Sequence, residues 1–514
     1  MHNIFFYLFK RNEPIILFII IASIIAIRLT YHRNLLICQK ISIPSHNSTL
    51  IVALFSIFAL LLALVGTHFI YHNFPLCMDE YLVNFQADIL LKKKIFAPIP
   101  TAWRDFALPL SSSYVHISPD KHFWVPQYLP GYAALKSIWI YFSVPSLLNP
   151  MLGGISIFLI AHIAKKIWPD DKYTPVLAVV LLFSSSQFLI TSMSFYPWPA
   201  HLCLNLLWLS LYLSPHALAF SILPWVGVFA INLHQPHVHL LFALPFLITI
   251  LRTKPIRSVL YIAAVYGLGC ALALYWLKFI LAPLMVQAES PLTFPGIPQV
   301  IVRLMNLVYL ISWNNLAMSI FLIGLVLNYR PLNPICKDLA WGFLLTFSFY
   351  LFFSGTGGHG WGSRYSYSIL GNLVLLSIAG FKKMYEAEES SRAVNILLLS
   401  TLLAFFVQIP LRAYQVESFI RPYAATMAYL ESEKTPVVIV DAISVYYGQD
   451  LVRNDPFLLK TPKIMFKSRL TERQIEILQK NYEVTWVNQE DLVKRGLPPR
   501  LDKYLGIYYK EFPL

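Results

Sequence analysis

The chain has 514 residues; 57% are hydrophobic, only 13% are charged, and the net charge is +14. Because a soluble domain usually has ~25% charged residues, this composition argues against an ordinary soluble protein. The basic residues form no stripe and no nucleic-acid-binding motif, so we attribute the positive charge to loops held at a cytoplasmic membrane surface and expect no nucleic-acid partner.

Apolar segments near the ~20 residues that a membrane-spanning helix needs recur as far as residue 412. They predict an α-helical polytopic membrane protein with about twelve transmembrane helices. The predicted spans are 14–31, 50–71, 148–164, 174–194, 199–213, 217–233, 237–251, 258–281, 305–327, 339–354, 366–380 and 394–412. No small-residue cleavage site follows the first segment, so we interpret it as a short span and not as a signal peptide.

Lysine and arginine mark every second connection between the later spans, which predicts the orientation of the chain. The basic connections hold Lys165, Lys166, Lys172, Arg252, Lys254, Arg257, Arg330, Lys337, Lys382, Lys383 and Arg392. The positive-inside rule places them in the cytoplasm. The long loop 72–147 and the C-terminal tail then lie outside, where we expect the chemistry. The N-terminus also falls outside, against the preference of Lys10 and Arg11. We expect a bacterial inner-membrane protein with its site facing the periplasm.

The predicted spans divide the chain into three regions. An N-terminal span and linker (1–49) precedes a transmembrane domain (50–412), and a small extracytoplasmic α/β domain (413–514) follows. The last region alternates predicted strands with helices, which favours a parallel sheet that would cover the outer mouth of the membrane domain. The strands are 437–441, 463–466 and 484–487, and the helices are 471–482 and 488–495.

Two acidic residues, Asp79 and Glu80, follow the second span in the sequence CMDEY (77–81). Apolar residues then recur at helical spacing, which predicts an amphipathic helix over 79–91 on the membrane surface. Acids at a helix N-terminus stabilise the helix through its dipole. A carboxylate at the membrane edge could equally be a general base for an acceptor hydroxyl. The spacing leaves both interpretations open.

A glycine-rich segment (357–362) lies between two late spans and includes His359 and Trp361. Its glycines permit close backbone approach. Arg364 follows near the membrane boundary, where its guanidinium could clamp a phosphate. The alternative is an arginine that extends to the interface beside a flexible turn.

Histidines gather at one predicted outer tip, which holds His234, His237 and His239, and His201 and His116 lie on the same face. His237 and His239 could bind a metal, but histidines at such tips commonly contact water and headgroups, and no acidic pair completes a site. We therefore predict no metal site and no definite cofactor, with a divalent metal as the open alternative. The absence of P-loop, Rossmann and nucleophile-elbow motifs argues against nucleotide hydrolysis.

The long outer loop ends in the aromatic and turn-forming segment 124–132, with Lys121 just before it. Lys121 could meet a phosphate. For the aromatic residues, the simpler interpretation is structural: they mark the point where the chain returns to the headgroup layer.

In order, the motifs DEY (79–81), YLPGY (128–132) and GWGSRY (360–365) resemble the GT-C superfamily of polytopic glycosyltransferases. The closest likeness is to its protein O-mannosyltransferase-like and lipid A aminoarabinose-transferase-like branches. The segment SFYPWPAH (194–201) is a weaker match. Each motif is degenerate, and the resemblance, over 50–412, depends on their order and common sidedness. The family's catalytic loop commonly follows the first span, whereas here it follows the second.

The resemblance implies that a sugar passes from a polyprenyl-phosphate carrier to a glycan, lipid or protein acceptor on the outer face. It implies a catalytic base at Asp79, with Glu80 as the alternative, and lipid-phosphate binding by Arg364, with Lys121 beside it. The substrate pocket would include Tyr81, His201, His237, His359, Trp361 and Tyr365.

Two other functions compete with this one. An O-antigen polymerase or ligase also uses outer-face arginines and lipid carriers, but its large outer loop usually comes late in the chain. A lipid or glycan flippase would favour internal repeats and ionisable residues at mid-membrane, of which the sequence offers few.

Overall fold

The computed structural model describes residues 4–32, 48–284, 297–327, 332–352, 361–386 and 390–500. Helices dominate this part of the chain. In chain order they are α1 (Ile4–His32), α2 (Ser48–Phe69), α3 (Met78–Leu91), α4 (Ala107–Leu110), α5 (Gly131–Tyr141), α6 (Leu148–Ile167), α7 (Thr174–Phe183), α8 (Ser186–Ser192), α9 (Trp198–Tyr212), α10 (Ala217–Ile231), α11 (Pro236–Thr253), α12 (Ile256–Tyr275), α13 (Ile297–Ser312), α14 (Leu316–Leu327), α15 (Pro334–Phe352), α16 (Leu370–Met384), α17 (Ser390–Leu403), α18 (Ile409–Ser432), α19 (Glu472–Asn481) and α20 (Gln489–Lys494).

The predicted fold class, a helical membrane protein with a small α/β region near its C-terminus, is confirmed. Among the described residues, six helices are long and apolar enough to cross a membrane, or up to eight when two broken pairs each count as one span. The broken pairs are α7–α8, bent by 66°, and α13–α14, bent by 109°. This count is lower than the twelve predicted, partly because hydropathy does not detect helix breaks. Hydropathy also predicts a full span at helices such as α9, whose 15 residues extend only about 22 Å.

The short helices α9 and α16 are accommodated because they lie largely inside the bundle. Helix α16 is buried on nearly all sides, as its all-round apolar sequence requires. It packs against α14, α15 and α7, and α9 packs against α6 and α10. Helix α2, in contrast, exposes large apolar side chains such as Leu54, Phe58 and Leu61, which suits a lipid-facing surface.

The described part of the C-terminal region contains the sheet that the sequence predicts. Strands Val437–Val440, Lys463–Phe466 and Val484–Val487 are parallel, with the first at the centre. Helix α19 begins with the capping box that the sequence predicts. A second, antiparallel sheet lies in the long loop and joins Ala97–Pro98, Val115–Ile117 and Phe123–Pro126.

The start of α1 lies beside the C-terminal region. The ring of Tyr7 stacks on that of Tyr446 with centroids 5.5 Å apart, and Arg11 Nη2 donates to Ser418 Oγ at 3.3 Å. The N-terminus and the tail therefore share one face of the molecule, the arrangement that the alternating basic loops predict. Helix α18 runs without interruption through residue 412, where the sequence suggested a domain boundary.

Candidate active site

The two adjacent acids at the start of α3 have different surroundings. Glu80 is fully buried, and its carboxylate accepts the backbone N–H of Phe195 at 3.0 Å and that of Cys77 at 3.3 Å. Burial raises the pKa of the Glu80 carboxyl to about 7, although these N–H groups lower it. Asp79 keeps 20% of its side chain exposed. Glu80 thus anchors the helix, whereas Asp79 remains partly accessible to solvent.

Asp79 forms an ion pair with Arg364, 285 residues along the chain. Arg364 Nη1 lies 2.8 Å from Asp79 Oδ2, and Tyr128 donates its hydroxyl to Asp79 Oδ1. Burial, followed by the charge of Asp79, raises the pKa of Tyr128 well above 10, so the tyrosine stays protonated and remains a donor. The structure therefore brings together three motifs that the sequence singled out separately.

Aromatic rings surround the guanidinium of Arg364. It lies 4.9 Å from the ring centroid of Tyr365 and 5.5 Å from that of Tyr196, distances typical of cation–π contacts. Tyr365 in turn stacks on Tyr350, with centroids 4.5 Å apart. Only 8% of the Arg364 side chain is exposed. A fixed, weakly hydrated cation beside a carboxylate suits recognition of an anion at the membrane boundary.

The other predicted site residues are dispersed. Trp361 lies close to Arg364, whereas Tyr81 projects from the opposite side of α3 to Asp79 and donates to Asn454 O at 2.6 Å. Lys121 is exposed in the turn before strand Phe123–Pro126, roughly 10 Å along that strand from the end that leads to Tyr128. The prediction for His359 lies outside the described residues.

The four histidines near the site fall into two classes. His237 Nε2 lies 3.1 Å from Tyr350 Oη, and His239 contacts both Asn205 Oδ1 and Tyr266 Oη, at 2.8 and 2.9 Å. Both ring nitrogens of His201 and of His234 are buried without a hydrogen-bond partner. No group of three or more potential metal ligands gathers in the part of the chain that the structure describes.

Two helix breaks meet behind Arg364 and form a polar seam, residues 184–187 and 313–315. Ser184 Oγ accepts from Asn315 Nδ2 at 2.7 Å, Ser185 Oγ donates to Asn314 Oδ1 at 2.6 Å, and Gln187 N donates to Trp313 O at 2.8 Å. The breaks leave backbone and side-chain polar groups inside the bundle, and each break satisfies groups of the other.

The polar seam supports the segment that leads to Arg364. Gln187 Nε2 donates to Trp361 O at 2.8 Å, and the rings of Trp313 and Trp361 stack with centroids 6.4 Å apart. Gly362 has a φ of 65°, and a Cβ atom there would collide with Gln187 and Trp313. The chain can pass the seam at this point only as glycine.

A second buried ion pair, Glu13–Arg412, lies on the far side of Trp313. Arg412 Nη1 and Nη2 each lie 2.7 Å from a carboxylate oxygen of Glu13. Glu13 also accepts from Ser312 Oγ at 2.6 Å and from Trp313 Nε1 at 3.2 Å. The pair is essentially inaccessible to solvent, with exposures of 1% and 0%. It joins α1 to α18 and to the polar seam.

Sequence reasoning missed His234 and Tyr196 as neighbours of the site and did not single out Tyr128 within its motif. All three lie in or beside segments that the sequence marked: the YLPGY motif, the SFYPWPAH segment and the histidine-rich tip. The order of these segments along the chain indicated that they belong to one site. Tertiary packing decides which of their side chains point inward.

No protein-family model matches the chain, and no curated protein matches it significantly. Solved structures do. Apo ArnT from Cupriavidus metallidurans matches with 11% identity and a TM-score of 0.53, over 90% of this chain and 94% of that one. ArnT bound to undecaprenyl phosphate matches with 10% identity and a TM-score of 0.52, over 86% and 90%. This chain has the ArnT fold. ArnT is a lipid A aminoarabinose transferase, a GT-C glycosyltransferase; the fold that the motifs implied is confirmed.

Proposed function

We propose that this protein is a membrane glycosyltransferase that moves a sugar from a polyprenyl-phosphate carrier to an acceptor on the outer face. The observation that carries the proposal is the Asp79–Arg364 pair, which joins a partly exposed carboxylate to a buried cation at one point. The ArnT fold supports it, since one of the matching structures has undecaprenyl phosphate bound. We infer a bacterial inner membrane and a site that faces the periplasm from the loop charges and this likeness.

Asp79 is the catalytic base in this proposal. An acceptor hydroxyl attacks the anomeric carbon, the bond from that carbon to the phosphate oxygen breaks, and the hydroxyl proton passes to Asp79. Tyr128, which donates to Oδ1, holds the carboxylate so that Oδ2 can face the acceptor. We prefer Asp79 to Glu80 for this role because both oxygens of Glu80 accept backbone N–H groups within the protein interior.

Arg364 binds the phosphate of the donor and stabilises the negative charge that grows on it as the sugar leaves. Its 2.8 Å contact with Asp79 occupies the guanidinium in the free protein. An incoming phosphate competes for these donors and releases Asp79 Oδ2, so donor binding would prepare the base. The prenyl chain remains in lipid. Lys121 is exposed at the far end of its hairpin, and we assign it no role in the proposed reaction.

The test is sugar transfer in proteoliposomes that contain the purified protein, a panel of radiolabelled undecaprenyl-phosphate sugars and a crude envelope fraction as acceptor. We expect transfer by the unsubstituted protein and a roughly 10²- to 10⁴-fold lower rate for Asp79→Asn, the size of effect typical of a lost general base. Asp88→Asn is the matched control, because Asp88 lies on the same helix but lines a separate groove with Asn84 and Lys460.

Undiminished transfer by Asp79→Asn would disprove the assignment of the base. Equal losses for Asp79→Asn and Asp88→Asn would point to a general effect of altering α3. No transfer with any donor, from protein that unfolds cooperatively, would contradict the glycosyltransferase proposal. In that case, movement of labelled carrier lipid across the bilayer would favour the flippase interpretation.

A further inference from the structure

His201 and His234 have an unusual environment beside the Asp79–Arg364 pair. His201 is fully buried and His234 is 6% exposed, yet no ring nitrogen of either has a hydrogen-bond partner. Their neighbours His237 and His239 do have partners. Native proteins satisfy most buried polar atoms, so four open nitrogen atoms in one place call for a specific explanation.

These two histidines lie directly behind the candidate base. The His234 ring packs on the Tyr128 ring with centroids 4.3 Å apart, and the Tyr128 hydroxyl contacts Asp79. The His201 ring lies 6.4 Å from that of His234, and Trp198 lies within 6.3 Å of both. Asp79 therefore has the cation Arg364 at one oxygen and the tyrosine that leads to the histidines at the other.

The chemistry of the open nitrogen atoms indicates the kind of ligand. Burial lowers the pKa of His234 to about 4, so its imidazole is neutral at physiological pH. A neutral imidazole offers one N–H donor and one acceptor nitrogen. A hydroxyl, which both donates and accepts, matches that pattern, whereas a phosphate provides only acceptors. Sugar hydroxyls are the groups that a polyprenyl-phosphate-linked donor would bring to this side of Asp79.

We propose that His201 and His234 bind the hydroxyl groups of the donor's sugar, while Arg364 binds its phosphate. This proposal rests on the proposed function and assigns the two ends of the donor to two sides of Asp79. The anomeric carbon, which links phosphate to sugar, would then lie next to the base. Trp198 supplies an apolar wall to the sugar end.

The experiment compares the affinities of the full-length protein in detergent for undecaprenyl phosphate and for its hexose- and pentose-bearing derivatives. The readout is the ratio of the two affinities, which isolates the contribution of the sugar. For His234→Phe and His201→Leu, we expect the preference for the best sugar-bearing lipid to fall roughly 3- to 10-fold each, the range of one lost hydrogen bond. Affinity for undecaprenyl phosphate itself should stay unchanged.

Three comparisons make the result specific. His234→Gln, which retains a donor and an acceptor, should keep part of the preference. His239→Gln is the control, because His239 is equally buried but has its own partners, Asn205 and Tyr266. Arg364→Ala should weaken binding of both lipids and leave their ratio nearly intact.

A ratio unchanged in the His201 and His234 variants would overturn this inference, and the proposed function would stand. Loss of the preference on addition of EDTA, restored by zinc, would also overturn it in favour of metal binding. If the unsubstituted, folded protein bound neither lipid, the proposed function itself would fail.

Discussion

Two buried arginine–carboxylate pairs connect distant parts of this chain, and they differ in how completely the protein encloses them. Asp79–Arg364 and Glu13–Arg412 have similar N–O distances, 2.8 and 2.7 Å. Glu13 is 1% exposed, whereas Asp79 is 20% exposed. Protein groups enclose the Glu13–Arg412 pair, whereas the Asp79–Arg364 pair remains accessible to solvent through Asp79.

The difference separates a structural ion pair from one suited to catalysis. Glu13 accepts from Arg412, Ser312 and Trp313, and the Arg412 guanidinium lies 4.2 Å from the centroid of the Trp313 ring. Breaking this pair would leave charges that no solvent can reach. Asp79 can exchange Arg364 for water or an acceptor hydroxyl, and in the proposed reaction the donor phosphate takes the place of Asp79 beside Arg364. In the proposed reaction the pair opens during each cycle, which requires such access.

Removing each arginine tests this comparison and should give the largest effect on stability. Arg412→Ala should lower the free energy of unfolding by about 3–5 kcal/mol, because Glu13 would remain buried without its counter-ion. Arg364→Ala should cost clearly less, since Asp79 can recruit water, but it should reduce sugar transfer strongly. Denaturant titration in detergent measures the first quantity and the proteoliposome assay the second.

The double variant Glu13→Gln/Arg412→Met is the control for that prediction. It removes both charges, so it should recover much of the stability that Arg412→Ala loses. Equal unfolding free energies for the Arg412→Ala and Arg364→Ala variants would refute the distinction between the two pairs.

A somewhat smaller effect should follow from pH, through the acid adjacent to Asp79. The pKa of Glu80 is raised from 4.5 to about 7 by burial in the folded protein. Between these values the folded state holds a proton that the unfolded state releases, so the unfolding free energy should fall as pH rises from about 4.5 to 7. The decrease is roughly 3 kcal/mol at most.

Glu80→Gln should remove this part of the pH dependence, which unfolding titrations at pH 4.5, 6 and 7.5 would show. Asp79→Asn, a neutralisation at the next position, serves as the comparison. The same slope in Glu80→Gln as in the unsubstituted protein would contradict the role given to the buried carboxyl.

The smallest effect concerns the polar seam between the two ion pairs. Gln187→Leu removes the donor to Trp361 O and should cost about 1–3 kcal/mol in stability, since a buried carbonyl loses its partner. If the seam also positions Arg364, the rate of sugar transfer should fall by more than the loss of stability explains. Binding of undecaprenyl phosphate should weaken as well. Ser156→Ala, a buried position outside the seam whose hydroxyl donates to Leu152 O in its own helix, provides the comparison. A stability loss with unchanged lipid affinity would limit the seam to a structural role.

Much of helix α3 and of the C-terminal sheet could be predicted from the sequence because their signals are local. The C-terminal strands follow from short apolar runs between turns, and α3 follows from helical spacing after CMDEY. The meeting of Asp79 with Arg364 rested on the order of motifs and their common sidedness. Their expected roles remain proposals.

The interior was harder to predict because its signals span long distances. The runs SSSQ (184–187) and WNN (313–315) are visible in the sequence, but they lie inside two segments that hydropathy predicts as uninterrupted spans. Only the folded structure shows that the polar groups of each helix break form hydrogen bonds with those of the other. Glu13 and Arg412 likewise lie near the ends of two predicted spans, and nothing local pairs them.

The Glu13–Arg412 pair also constrains the order of events while the protein is made. The two residues are 399 positions apart. At ~5–20 residues per second, synthesis of Arg412 follows that of Glu13 by roughly 20–80 s. During this interval the carboxylate lacks its guanidinium, and for most of it the seam residue Trp313 has not been made either. We therefore expect α1, although among the first helices to leave the ribosome, to be among the last to dock.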